Sequence, residues 1–297
     1  MNLLDFCTYT YGILRSNNKI ASLVFKPMRI IIRCFANKKL PKFLSVPVPY
    51  SLSNDEKVIV SLTSFPARIN EVWQVVECMK RQTVRPYRIL LWLSKEQFHE
   101  KCLVPEKLLK MQDEIFLIKM VDGDLRSHKK YYYVAKQYPD YLVFLIDDDI
   151  YYPSDILEKS LINYKLFPQS VICNYGTQIT YDDFGRHLPY SQWKTNNSKE
   201  NVFFGSGGGT LFNPVDFHKD LTNIELAQKL TPTADDIWLN AMARLNGTRI
   251  ILISNRLILP INYLKNEELS TINNGMSQND AQLLAIERHY GHCFDKN

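Results

Sequence analysis

The 297-residue chain, 45% hydrophobic and 23% charged, has the composition of an ordinary globular protein with a sizeable core, organised as one large domain or two small ones. Its cysteines, Cys7, Cys34, Cys78, Cys102, Cys173 and Cys293, form no CxxC pair and accompany no paired histidine spacing, which argues against a zinc site or disulfide framework and for a reducing compartment. The net charge of +5 is uneven: residues 1–50 hold eight Lys and Arg against Asp5 alone, so the remainder is net acidic.

That basic segment attracts anionic lipid or nucleic acid. Its basic residues alternate with the apolar run "IASLVFKPMRIIIRCF" and not with stacking aromatics, so nucleic acid is not the expected partner. Two readings stand: a segment lying on an anionic membrane surface, and a helix packed on the domain with its basic face in water. No apolar stretch reaches the roughly 18–20 uncharged residues of a spanning helix. "MNLLDFCTYTYG" lacks the charged head and small-residue cleavage site of a signal peptide. The expected location is cytoplasmic, with peripheral contact to the inner face of the cell membrane as the membrane-binding variant.

"LPKFLSVPVPYSLSNDE" has a linker's composition and places a boundary near residue 50, separating an extension (1–50) from a catalytic-type domain (51–297). Beyond it, "KVIVSLTS" predicts a buried strand, "INEVWQVVECMKRQ" a helix and "YRILLWLS" a second strand. "PEKLLKMQ" predicts a short helix, "EIFLIKMV" a third strand, "SHKKYYYVAKQY" a helix opening at Ser127, and "YLVFLI" a fourth strand. This alternation implies βαβ units and an α/β fold with a mostly parallel central sheet flanked by helices.

The fourth strand runs into Asp147, Asp148 and Asp149. Adjacent carboxylates repel, and in parallel sheets ligands bind at the carboxyl ends of strands. Asp149 could cap "IYYP", or Ser154 the helix "SDILEKSLINYKLF", but a cap leaves two carboxylates without a structural reason. A metal site is the stronger reading. Hard oxygen ligands without thiolates or imidazoles select Mg2+ or Mn2+, ions that bridge carboxylates and substrate phosphates. An aspartyl-phosphate phosphatase would want Asp-x-Asp-Gly-Thr on the first strand, and the triplet here lies on the fourth, before Ile150.

Four segments in order, "VIVSLTSFPARI", "DDDIYYP", "GSGGGTLF" and "TADDIWLNAM", resemble bacterial glycosyltransferases of the GT-A fold that build capsular, lipopolysaccharide or other cell-surface glycans. The resemblance covers roughly residues 57–260. It implies a Rossmann-like domain that moves a hexose from a nucleotide sugar, expected to be UDP-linked, to a glycan or lipid-linked acceptor with inversion. It also implies that Asp149, with Asp147, ligates Mn2+ or Mg2+ on the donor diphosphate. Asp147 would in addition face the nucleoside, and Asp148 could do either.

Thr63 and Arg68 would border the nucleotide, and Lys129 or Lys130 would hold a phosphate at the helix start. Gly207 and Gly208 of "GSGGG" would let the backbone approach the donor sugar. Asp236, with Asp235 second, would be the general base, against the plainer reading that acids in a first helical turn favour the dipole. Tyr190 or Trp193 could stack on an acceptor sugar, "NEELSTINNGMSQ" could close over the donor, and His289 or His292 could add a metal contact. Two rivals remain: a metal-dependent nucleotidyltransferase, and a non-catalytic membrane-surface binding module.

Overall fold

Branched and aromatic runs alternate with amphipathic stretches through the middle of the chain, and the structure turns them into strands and helices in that order. It is a computed structural model describing residues 1–15, 19–99, 104–194, 198–261 and 278–296. Helices α1 (Leu3–Gly12) and α2 (Lys19–Leu44) come first. Strands β1 (Asn54–Thr63), β2 (Arg85–Ser94), β3 (Phe116–Val121) and β4 (Leu142–Ile146) follow, interleaved with α3 (Val72–Lys80), α4 (Glu106–Lys110) and α5 (Lys129–Gln137).

Then come β5 (Ile150–Tyr151), α6 (Ile156–Leu166), β6 (Ser170–Cys173), β7 (Gly176–Gln178), β8 (Val202–Phe204) and β9 (Gly208–Phe212). Helices α7 (Ile224–Leu230) and α8 (Asp235–Leu245), strands β10 (Arg249–Leu252) and β11 (Leu259–Pro260), and the C-terminal helix α9 (Gln278–Tyr290) complete the described residues.

The central sheet has seven strands in the order β10-β6-β9-β4-β1-β2-β3. All neighbours are parallel except β9, which runs antiparallel to both β4 and β6. Alternation along each strand sends side chains to two cores. Val58, Val60 and Leu62 of β1 pack with α2, α3 and α6 on one face; Ile59 packs with Trp92, α5 and α8 on the other. Sequence period and sheet geometry agree here because both faces are covered.

One boundary differs from expectation. The linker composition beginning at Leu40 predicts loose chain, yet α2 continues through Pro41 to Leu44. Leu40 and Leu44 are buried there, and the Arg81 guanidinium donates to the terminal carbonyls of Leu44, at 3.2 Å, and Val46, satisfying groups a helix end leaves open. In "GSGGGTLF" the strand begins inside the glycine run, at Gly208, and stops at Phe212, where the Asn213 side chain accepts from Val215 N–H and turns the chain. Residues 266–277, the expected closing segment, lie outside the described residues.

The segment before residue 50 is seated on the domain. Leu4, Cys7, Ala36 and Leu40 are fully buried in the same core as β1. The Asp5 carboxylate accepts from the Ser154 N–H and hydroxyl, each at 2.8 Å, just ahead of α6. Gly12 passes Arg256 so closely that a Cβ would lie 3.1 Å from that side chain. Replacing Asp5 by Ala removes two charge-assisted hydrogen bonds and is expected to cost about 1–3 kcal/mol, read as a melting temperature lower by several degrees; an unchanged melting curve would show that α1 contributes no such clamp.

Candidate active site

The site begins where β4 ends. Strand β4 lies between β1 and β9, so the turn that follows it, Asp147–Asp149, opens at the carboxyl edge of the sheet. The three carboxylates go three ways. Asp148 is buried and turned back toward the β1 loop: Ser64 Oγ donates to it at 2.6 Å and Arg68 Nη1 at 3.0 Å. Arg68 also lies 2.7 Å from Asp149 Oδ2. Asp147 turns toward α5, where Lys130 Nζ is 2.7 Å away. The Asp149 carbonyl accepts from Ile261 N–H at 2.8 Å, fixing the turn against the β5–β11 ribbon.

Lys130 is the hinge of the arrangement. Its ammonium, nearly fully buried, also lies 3.1 Å from Asp235 Oδ2 at the start of α8. The "GSGGG" turn between β8 and β9 supplies the remaining contacts. Ser206 Oγ donates to Asp235 at 2.7 Å, and Ser206 N–H to Asp236 at 2.7 Å. The Gly207 carbonyl accepts from Asp147 N–H at 3.2 Å and from the buried Tyr152 hydroxyl. A Cβ on Gly207 would sit 1.8 Å from the Asp147 carboxylate carbon, and one on Gly208 would sit 2.5 Å from Tyr175 Cβ. These glycines are there for close approach.

The charges set the protonation states. Burial opposes the Lys130 ammonium, but Asp147, Asp235 and Asp236 outweigh it and hold the lysine charged. Burial likewise works against ionised Asp235, yet Lys130, the neighbouring His128 and Ser206 keep it below the usual carboxylate range. Its neighbour goes the other way: burial and the Asp235 charge push Asp236 up to about 6. Burial and the charges of Asp148 and Asp147 push Asp149 up to about 7, with Arg68 and Lys130 pulling against them. His128, fully buried against the Thr231 carbonyl at 2.7 Å, is driven toward its neutral form by burial.

No family model matches the chain, and no curated protein matches it. Solved structures do. TarS from S. aureus, residues 1–349 with UDP, aligns at 15% identity over 68% of this chain and 59% of that one, with a TM-score of 0.43. The same protein with UDP-GlcNAc aligns at 14% over 72% and 61%, TM-score 0.45. The mannosyltransferase PcManGT from Pyrobaculum calidifontis, with GDP-Man and Mn2+, aligns at 12% over 81% and 67%, TM-score 0.44. The chain spans about three fifths of the TarS chain it matches. At these values the likeness is loose.

Of the residues singled out from sequence, Arg68, Lys130, Asp147, Asp148, Asp149, Gly207, Asp235 and Asp236 are joined by direct contacts or by shared partners. Gly208 packs on Tyr175 beside them. Lys129 is turned to Asp124, and the Thr63 hydroxyl donates to the Trp92 carbonyl at 2.8 Å, inside the sheet. His292 finds Glu287 and Asp295, and His289 packs edge-on against Tyr290. Sequence reasoning passed over Ser64, Tyr152 and Ser206. Ser206 alone carried a signal, a polar residue embedded between glycines.

Asp236 carries its charge at a cost. Because its folded pKa is raised, the penalty is small near pH 4, grows as pH rises and is full above about 6. Asp236→Asn is therefore expected to stabilise the fold at pH 8 by about 1–3 kcal/mol, a gain that fades toward pH 4. A variant no more stable at pH 8 than the parent would show that no such repulsion exists.

Proposed function

We propose that the chain is a divalent-metal-dependent glycosyltransferase that moves a hexose from a nucleotide sugar, UDP-linked in our reading, to a glycan or lipid-linked acceptor with inversion, in the synthesis of cell-surface polysaccharide such as capsule or lipopolysaccharide. The observation that carries the reading is the Lys130 bridge. It draws the Asp147–Asp149 turn and the Asp235–Asp236 helix start into one site, where five carboxylates meet the two cations Lys130 and Arg68.

The donor set fits a hard ion. Asp147 and Asp149 offer part-exposed oxygens, and the repulsion that raises Asp149 is what a dication relieves. Mg2+ or Mn2+ held there by Asp149 and Asp147 would neutralise charge on the departing nucleoside diphosphate. Lys130 holds Asp147 in place and adds positive charge on the same side. Asp236 takes the acceptor hydroxyl proton while the new C–O bond forms at the anomeric carbon and the bond to the diphosphate oxygen breaks. Its pKa near 6 leaves it ionised at neutral pH, so kcat/KM should fall as pH drops below about 6.

Two variants separate these roles. Asp149→Asn is expected to abolish metal-dependent nucleotide binding; Asp236→Asn is expected to retain it and lose transfer by at least a hundredfold, the usual scale of a positioned general base. Transfer that survives Asp236→Asn would remove Asp236 as base. Release of pyrophosphate in place of nucleoside diphosphate would favour a nucleotidyltransferase, and absence of turnover with every donor a binding module.

The acceptor side of the proposal draws on α2. Val24, Met28, Ile31 and Phe35 repeat at helical spacing and, with Leu23 and Ile30, are exposed, while Lys38, Lys39 and Lys42 follow on the same helix. No described helix is long and apolar enough to cross a membrane. An apolar stripe with cationic neighbours suits the surface of an anionic bilayer. Replacing both Ile30 and Ile31 by Gln should reduce co-sedimentation with phosphatidylglycerol vesicles severalfold without moving the melting temperature; undiminished sedimentation would refute the contact.

A further inference from the structure

A second group of ligating atoms lies away from the acidic turn, where the long loop after β7 meets the end of α9. His187 Nε2 and carboxylate oxygens of Glu287 and Asp295 all fall within 4.8 Å of one another. Glu287 Oε1 is 3.0 Å from His187 Nε2, and His292 Nδ1 is 3.8 Å from that oxygen and 3.4 Å from Asp295 Oδ2. Two imidazoles and two carboxylates therefore converge from segments about a hundred residues apart in sequence.

Three features point to a cation in their midst. His187 Nδ1 lies 3.0 Å from the Leu188 carbonyl and Nε2 lies 3.0 Å from Glu287 Oε1, so both ring nitrogens face oxygen acceptors and a cation would take the place of the Nε2 proton. A backbone carbonyl on the far nitrogen is the usual way a ligating histidine is oriented. Glu287, with 8% of its side chain exposed, has both imidazoles beside its Oε1, His187 Nε2 at 3.0 Å and His292 Nδ1 at 3.8 Å, so its buried charge needs a positive partner there. Asp295 is itself held, its Oδ1 accepting from His187 N–H at 3.0 Å.

We propose that His187, Glu287 and Asp295, with His292 as fourth ligand, form a structural site for a zinc-type divalent cation. Imidazole nitrogen with carboxylate oxygen in a four-ligand set suits Zn2+, and two carboxylates with two neutral imidazoles match a dication's charge. The ion fastens the loop to the C-terminal helix. That loop carries Tyr190 and Trp193, which pack on Phe203 of β8, and Phe294 closes against the same rings. Tyr190 lies close enough to Asp236 for its hydroxyl pKa to be raised by burial and by that charge. The site thus secures the wall beside the proposed base.

The test is a Zn2+ titration of the full chain, stripped with EDTA, against a chromophoric chelator. It is run in an Asp147→Asn, Asp149→Asn background so that the acidic turn does not contribute. One equivalent is expected to bind and to raise the melting temperature, and Glu287→Gln and His187→Gln should each weaken binding at least tenfold. His292, whose side chain is 71% exposed, gives a variant free of folding effects, and His292→Ala should also weaken zinc at least tenfold. No uptake by the background protein, or affinity unchanged in these variants, would overturn the site and leave a His187–Glu287 ion pair in its place.

Discussion

A buried ammonium between two carboxylates from distant motifs is the constraint on which the rest of the site depends. Taking Lys130 out of water is costly, and only close pairing on both sides makes the position tenable. Asp147 at 2.7 Å and Asp235 at 3.1 Å provide it. Each partner is then fixed in turn: Asp147 by the Gly207 carbonyl and Tyr152, Asp235 by Ser206. The glycine-rich turn therefore acts as a bracket. It lets backbone touch the Asp147 carboxylate on one side, where any side chain would collide, and lends Ser206 to both members of the second acidic pair on the other.

The same bracket explains why two neighbouring aspartates differ. Asp235 faces Lys130 and is held below the ordinary range, whereas Asp236 bears the repulsion of that charge with less compensation and is raised. Pairs of carboxylates driven apart in this way divide structural and chemical labour. In the proposed reaction Asp235 anchors and Asp236 titrates. In the acidic turn burial raises both neighbours, Asp148 although it is bound into Ser64 and Arg68, and Asp149 at the edge.

Much of the fold was legible because strands covered on both faces read as continuous apolar runs and the helices between them read at a 3.6-residue period. The Asp147–Asp149 position at a strand end followed from the same pattern. What periodicity leaves open is pairing partners. Strand β9 enters the centre of the sheet antiparallel, between β4 and β6, and nothing local to "GGTLF" specifies those neighbours. Side-chain direction was equally out of reach: adjacent lysines opening one helix diverge, Lys129 to Asp124 and Lys130 to the acidic motifs. Arg68, expected at the nucleotide, is engaged by Asp148 and Asp149, and the His187–Glu287–Asp295 group has no sequence spacing to announce it because the tertiary fold assembles it.

Whether the bracketed carboxylates hold a metal-dependent donor site is tested by a thermal-shift panel with UDP, GDP, TDP and CMP, each with Mn2+ or with EDTA. One nucleotide, UDP in our reading, is expected to stabilise the protein only when metal is present, by about 2.7 kcal/mol at a hundred times its dissociation constant. A melting temperature that stays fixed under every condition would contradict this expectation, leaving the Lys130 network as a structural feature with no donor to bind.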